Sequence, residues 1–391
     1  MNLSAIPSRF RRRSVVTLAS AFTALALLPV GAATASAHER HDDSRGAVFV
    51  QLNAVSGNEI AAYSRSDDGS LTYSATYPTG GDGGTQVGAP LDALASQGSL
   101  VLDAPNHLLL AVNAGSDTIT SFGVRGAQLG HATTVASGGQ FPTSVAVHHD
   151  LVYVLNAGGD GSISGFTVRH GALVPLAGST RSLGLGNTNP PAFLQSPAQI
   201  GFSRDGRTLI VTTKAHNELL TFPVGRDGRP AAAPLVTPSA GAVPFSFVVD
   251  HTGRVLVTEA GTGAISTYTV ARDGSLHLVG SSAGDGGAAL CWNVQVGRTV
   301  YGANAGSATL SAWNVPNRGA AALTSPVATT TGAGPIDLAA SRDGRFLYVQ
   351  ESVAGTLGVY AVAHDGSLVR TQTVSGLPAF TTTGMEGLAA S

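Results

Sequence analysis

The chain is poor in lysine, cysteine and charge. Lys214 and Cys291 are the sole residues of their kind among 391, and Asp, Glu, Lys and Arg together make up 12 %, about half the share of an ordinary soluble domain. One cysteine excludes an internal disulfide framework. Cys291 lies in the apolar stretch "ALCWNVQV" and reads as a small buried hydrophobe rather than a reactive thiol. The scarcity of basic residues removes the clustered Lys and Arg that phosphate contacts require, so nucleic acid is excluded as a partner. Beyond residue 37 no long charge-free apolar run occurs, which excludes a membrane-spanning helix. Helical periodicity is also missing. What is abundant is glycine, 50 residues, beside 43 % hydrophobic residues. That is a composition of many short strands joined by tight turns, not of disorder.

The opening residues read as an export signal. Arg9, Arg11, Arg12 and Arg13 precede an apolar run from Val15 to Val30, and "ASA" at Ala35–Ala37 supplies small residues at a cleavage site. "RRSVV" (Arg12–Val16) also permits the twin-arginine route. Removal of residues 1–37 takes away four arginines and no acid, leaving 18 basic and 24 acidic residues and a formal charge of −6. The expected mature protein is a soluble, secreted monomer with a short flexible tail at 38–45, "HERHDDSR", followed by one folded unit over 46–391.

Seven segments repeat an apolar strand, a polar residue, a small-residue turn and a strand that reaches an aromatic. They include "VYVLNAGGDGSISGF", "VLVTEAGTGAISTY" and "VYGANAGSATLSAW". The aromatics are Tyr63, Phe122, Phe166, Phe222, Tyr268, Trp313 and Tyr360, spaced by 59, 44, 56, 46, 45 and 47 residues. This period is that of a four-stranded propeller blade. Inner strands follow prolines in "PTSVAVHH", "PAQIGFS", "PFSFVVD" and "PIDLAAS", and Asp-Gly turns such as "SRDGR" and "ARDGS" mark hairpins. The folded part begins on a second strand, "GAVFVQLNA", and finishes on an unpartnered inner strand, "GMEGLAAS". Pairing these two closes the ring and leaves no open edge. The fold class is therefore all-β, a seven-bladed propeller closed by its C-terminal strand.

Such a ring has two faces. Asp-Gly turns occupy one, with His107, His148, His149, His170, His251 and His364 on or near it. The other carries the long connections Thr79–Gln97 and Ser182–Gln199, and long loops on a rigid frame are where binding concentrates. It also holds the residue ending each second strand: Asn53, Asn113, Asn156, Thr213, Glu259, Asn304 and Glu351. Asparagine there serves the following turn. Glu259 and Glu351 break that rule on either side of Asn304. Two carboxylates and an amide suit a divalent cation such as Ca2+, or a general-base pair, unless both are solvated turn residues. "TKAHNEL" is a second departure: Lys214, His216 and Glu218 suit an acidic or carbonyl-bearing substrate, or form a solvated polar loop. Gln195, Phe193 and Trp292 are candidates to line the same mouth. The "GDGG" runs lack the strand–loop–helix context of a phosphate cradle, and no G-x-S-x-G elbow points to a serine nucleophile.

"SRDGRTLIVTTKAHNELLTFPVGRDG" and "SRDGRFLYVQESVAGTLGVYAVAHDGSL" resemble the units of lactonase-type seven-bladed propellers, which include bacterial 6-phosphogluconolactonase and fungal carboxymuconate-lactonising enzymes. The resemblance spans residues 46–391. It implies a carboxylic ester hydrolase acting on a small lactone. The candidate residues for such a reaction are Glu259, Asn304 and Glu351 to position water, and Lys214 or His216 to polarise the carbonyl. One departure is the absence of histidine from "QSPAQIGFSRDG", where family enzymes carry a histidine-rich connection. Export also disfavours a phosphorylated sugar lactone. The alternative is a non-catalytic platform that holds a cell-wall polymer, small ligand or protein on its long-loop face.

Overall fold

The computed structural model describes residues 46–391; the expected signal at 1–37 and the tail at 38–45 lie outside the described residues. Seven antiparallel sheets form the blades. Blade 1 joins Leu388–Ala390 to Ala47–Gln51, Glu59–Arg65 and Leu71–Pro78. Blade 2 runs Leu100–Asp103, Leu108–Asn113, Thr118–Arg125 and Gln128–Ala136, from inner to outer strand. Blade 3 has Pro142–His148, Leu151–Asn156 and Ser162–Arg169, with its outer position shared by Ala172–Pro175 and Arg181–Ser182. Blade 4 is Gln199–Phe202, Thr208–Thr212, Glu218–Pro223 and Leu235–Pro238; blade 5 is Pro244–Val249, Arg254–Glu259, Ala264–Val270 and Leu276–Ser281. Blade 6 is Leu290–Val296, Thr299–Asn304, Thr309–Asn314 and Ala322–Thr330, and blade 7 is Pro335–Ala340, Phe346–Glu351, Thr356–Val362 and Leu368–Ser375.

The inner strands touch one another in cyclic order, and the ring closes where Leu388–Ala390 lies between Pro335–Ala340 and Leu100–Asp103. The closing strand pairs Val48 with Ala390, Phe49 with Ala389 and Val50 with Leu388. Backbone hydrogen bonds from Gln51 N to Gly387 O (3.0 Å) and from Ser391 N to Ala47 O (2.9 Å) extend it. The C-terminal segment therefore satisfies the edge that the first strand would otherwise present to water.

The cores lie between neighbouring blades. Leu108, Leu110 and Val112 of blade 2 pack with Val152, Val154 and Phe166 of blade 3. Because each second strand is covered on both faces, Leu108–Asn113, Arg254–Glu259 and Phe346–Glu351 are buried along their whole length. The seven repeat aromatics all fall on third strands and are at most 5 % exposed. Each such side chain contributes roughly 1.5–3 kcal/mol by leaving water. The Asp-Gly turns follow turn chemistry. Asp205 Oδ1 accepts from the Ser203 hydroxyl (2.7 Å) and the Arg207 N–H (3.2 Å), and Gly206 sits at φ 70. Among the described residues the only helical features are 3-10 turns at Ala114–Ser116 and Lys214–His216.

Candidate functional site

Several residues that end second strands point outward, along their own sheets. Asn113 Nδ2 donates to the hydroxyls of Thr118 (3.1 Å) and Thr120 (3.0 Å) on the third strand. Asn304 Nδ2 does the same to Thr309 (3.3 Å) and Ser311 (2.8 Å). Glu351 follows suit at longer reach: Oε1 accepts from Gly332 N (2.8 Å), from Tyr360 and from Arg370, and Oε2 accepts from Thr356 (2.6 Å). Glu259 Oε1 accepts from Ser239 (2.8 Å). Both glutamates are fully buried. In blades 2, 3, 5, 6 and 7 a glycine of the connection leading into the blade packs on the ring residue, so a Cβ at Gly241 would stand 2.7 Å from Glu259 and one at Gly287 would stand 2.4 Å from Asn304.

Glu259, Asn304 and Glu351 are thus buried rather than solvated, and each bonds a different set of partners within or beside its own blade. Glu259 Oε2 has no hydrogen-bond partner. Among the described residues, no group of three or more His, Cys, Asp or Glu is arranged to hold a metal ion.

The axis is occupied instead by the connection from blade 1 to blade 2. Leu91 O accepts from Ser352 Oγ of blade 7 (2.7 Å). Ser96 Oγ donates to Thr143 O of blade 3 (2.8 Å), while Ser96 O accepts the Trp292 indole N–H of blade 6 (2.8 Å). Gln97 N donates to Ala198 O of blade 4 (3.2 Å). One short segment, "LDALASQ", is therefore bonded to blades 3, 4, 6 and 7. The connection Ser182–Ala198 lies against the same loop: Val87 N donates to Pro191 O (2.8 Å), and Ser196 Oγ to Gln86 Oε1 (2.7 Å).

This segment gathers the ionisable groups of the axis. Asp92 Oδ1 accepts from Leu94 N (2.9 Å) and Ala95 N (2.7 Å), and Oδ2 from Ser96 N (3.3 Å). Glu386 Oε1 also accepts from Leu94 N (3.0 Å), so the two carboxyls share that donor. Lys214 Nζ reaches from blade 4 to Ala95 O (2.8 Å), lying 5.6 Å from the centre of the Phe245 ring. Asp337 and Cys291 complete the group, and all five are buried.

Burial governs the charge states. It raises Asp92, against the hydrogen bonds and Lys214 that favour its anion. It raises Glu386 well above the carboxylate range, and the neighbouring Asp92 charge adds to this. Asp337 is likewise raised, first by burial and then by Asp92. Burial lowers Lys214 to about 7, opposed by Asp92, and pushes the Cys291 thiol up. Asp92, held by three N–H groups, is the better placed of the two carboxyls to bear a charge. Glu386 Oε2 and Asp337 Oδ2 have no hydrogen-bond partner.

Residues 100–260 match the sequence model of the family described as "Lactonase, 7-bladed beta-propeller". The chain is a seven-bladed propeller that is similar to this family over that stretch. No curated protein sequence matches it. Similar solved structures include candidate 6-phosphogluconolactonases from Bacteroides uniformis and Bacteroides fragilis. The first is 19 % identical at a TM-score of 0.65, covering 88 % of this chain and 99 % of that one. The second is 17 % identical at 0.67, covering 89 % and 98 %. The periplasmic gluconolactonase of Pseudomonas aeruginosa is 19 % identical at 0.63, covering 85 % and 98 %. At these identities the likeness shows the fold.

Of the residues singled out from sequence, the propeller brings Lys214 and Trp292 together at the axis. They meet through Phe245, whose ring centre is 4.9 Å from that of Trp292, and through the adjacent carbonyls of Ala95 and Ser96. His216 is half-buried on the same 3-10 turn as Lys214, with Nε2 unpartnered. Phe193 and Gln195 lie on the second long connection, half-buried and exposed respectively. Glu218 starts the third strand of blade 4, and its backbone bonds the Thr213 hydroxyl. Asp92, Asp337 and Glu386 are the residues that sequence reasoning missed. The available signal was an acid near the start of two inner strands: Glu386 of "GMEGLAAS", where other blades carry Thr143, Ala198, Phe245 and Cys291, and Asp337 of "GPIDLAAS", one position later, where they carry Ser144, Gln199, Ser246 and Trp292.

Proposed function

We propose that this propeller is an exported lactonase-like hydrolase whose reacting centre is the axial group of Asp92, Glu386 and Lys214. The observation that carries the reading is the convergence of two buried carboxyls, Asp92 and Glu386, on the Leu94 N–H, with the Lys214 ammonium bonded to the neighbouring Ala95 carbonyl; burial raises both acids and lowers Lys214 to about 7. Perturbed groups of opposite function held in one place are the usual signature of acid–base chemistry. The matched family and the gluconolactonase of Pseudomonas aeruginosa support a cyclic ester as the substrate class.

In this reading the Asp92 carboxylate takes a proton from water as the oxygen adds to the lactone carbonyl. Protonated Lys214 stabilises the tetrahedral oxyanion. The ring C–O bond then breaks, and Glu386 gives its proton to the departing alkoxide, leaving a hydroxy acid. The test is turnover of a panel of γ- and δ-lactones, with and without chelator, by wild type, Lys214→Met and Glu386→Gln. Loss of one charge stabiliser of this kind slows turnover by roughly two to three orders of magnitude. The reading fails if no lactone is turned over by folded wild type, or if Lys214→Met leaves turnover intact.

A second reading has its own observation. All three groups are buried and bonded to the segment that crosses the axis, which suits a bolt that pins this connection within a non-catalytic binding propeller. In that case the same variants alter stability and the wild type hydrolyses nothing. Export rests on the Arg9–Ala37 pattern, and its check is the location and N-terminal residue of the mature protein.

A further inference from the structure

The face opposite the axial group holds a cavity between blades 4 and 5 of about 420 Å³. Arg204 and Arg207 line it from the first turn of blade 4, and Arg272 from the last turn of blade 5, with Thr208 and Thr252 between them. All three arginines are exposed. Among the described residues Arg204 and Arg272 make no hydrogen bond or ion pair, and Arg207 has only Asp205, 4.0 Å away. Asp205 also lines the cavity. Its Oδ1 is engaged by its own turn, so the lining keeps a net positive charge of two.

The cavity has an identifiable cause in the repeat. The first residue of a second strand fills the seam to the next blade. In blade 7 this residue is Phe346, over which Gly69 of blade 1 packs so closely that a Cβ there would meet the ring at 2.2 Å. Arg345 stacks on that ring at 5.2 Å, and Asp343 is paired with Arg65 of blade 1 at 3.6 Å. In blade 5 it is Arg254, which bonds Pro316 O and Gly319 O of blade 6, both at 2.6 Å. In blade 4 the otherwise matching "SRDGRTLIV" places Thr208 where "SRDGRFLYV" has Phe346. Gly274 of blade 5 packs over Thr208 and Pro223 there, but the smaller side chain leaves the cavity above it, the arginine loses its ring, and blade 5 adds a further arginine.

We propose that this seam is a binding site for a small oxyanion-bearing molecule, one whose carboxylate or phosphate is held between Arg272 and the Arg204–Arg207 pair. Guanidinium forks match both groups bidentately, and threonine hydroxyls offer further donors. The volume lies within the range of small-molecule sites. In a mature chain expected to carry −6, an open, positively charged seam also attracts anions that the remaining surface repels. The site is independent of the axial chemistry.

The experiment is calorimetric titration of the protein at low ionic strength with inorganic phosphate and, separately, with glucuronate, using glucose as the neutral control. Saturable millimolar binding of at least one anion, and none of glucose, is expected. The more tightly bound anion identifies which oxyanion the seam prefers. Arg272→Ala should weaken binding about tenfold, the equivalent of about 1.4 kcal/mol. Thr208→Phe copies the blade 7 seam, so it should abolish binding while leaving the melting temperature and any lactone turnover unchanged. Absence of saturable binding to either anion, or binding untouched by both substitutions, overturns the proposal.

Discussion

Glu259 Oε1 accepts a 2.8 Å hydrogen bond from the Ser239 hydroxyl, on the connection that leads into the glutamate's own blade. The asparagines at equivalent positions face the same way, toward third-strand hydroxyls and the incoming glycine. The longer side chain performs the same task with a buried charge. Burial raises its pKa above an ordinary glutamate's 4.5, against the Ser239 and Ser266 hydroxyls and Gly241 N–H, which favour the anion.

For an acid whose folded pKa is raised, ionisation opposes folding. That contribution to stability is greatest below the unfolded value and falls as pH rises toward the folded one. Glu259→Gln keeps an oxygen for Ser239 and removes the charge. Urea unfolding should find it equal to wild type near pH 4 and more stable at pH 7, with turnover changed by less than about twofold. A drop in turnover by about two orders of magnitude would instead place Glu259 in the reaction.

Arg370 is the counterpart in blade 7. It bonds the fully buried Glu351 and lies 5.1 Å from the centre of the Tyr360 ring, with its own side chain about one third exposed. Arg370→Met leaves the carboxylate to Gly332, Thr356 and Tyr360. The expected cost is about 1.5–3 kcal/mol, toward the lower figure because solvent screens the exposed end. The double variant Glu351→Gln/Arg370→Met should lose less than the sum of the two single changes. Strict additivity in chemical denaturation would mean that the pair is not coupled.

The ring is legible in the sequence because every blade must bury both faces of its second strand and seat an aromatic from its third. Those demands recur at a fixed period from Tyr63 to Tyr360 and survive low similarity between units. The axial group is not legible in that way. Asp92 comes from a connection that has no counterpart in other blades, and its position depends on the path of Thr79–Ser99 across the axis. Lys214 stands out as the only lysine, yet nothing in "TTKAHNE" discloses that it turns inward while Glu259 and Glu351 turn outward. That difference follows backbone geometry. Lys214 adopts φ 50 at the start of its 3-10 turn, whereas Ala114, which starts the matching 3-10 turn of blade 2, keeps a negative φ.

Closure by the last strand carries its own test. Deleting residues 384–391 exposes the edge of Ala47–Gln51 and removes Glu386 from the axis. An unpaired apolar edge is a template for association. The truncated chain should melt at lower temperature, lose a single cooperative transition and elute as aggregates in size-exclusion chromatography. Retention of a monomer with the wild-type melting temperature would mean that the ring does not depend on this pairing.

The axial lysine makes a prediction of opposite pH sign to Glu259. Its folded pKa, about 7, lies below the 10.5 of an ordinary lysine. Between those values the unfolded chain holds a proton that the folded one has released, so stability rises with pH across that window. The limiting slope is about 1.4 kcal/mol per pH unit. Asp92, Asp337 and Glu386 face the same group and are raised, which tilts stability the other way as pH climbs from the ordinary carboxylate range. The difference between wild type and Lys214→Met isolates the lysine. Urea unfolding at several pH values from about 7 to 9.5 should show wild type gaining on the variant throughout. Parallel curves would mean that the ammonium is not desolvated at the axis, and the acid–base assignment of Lys214 would fall with it.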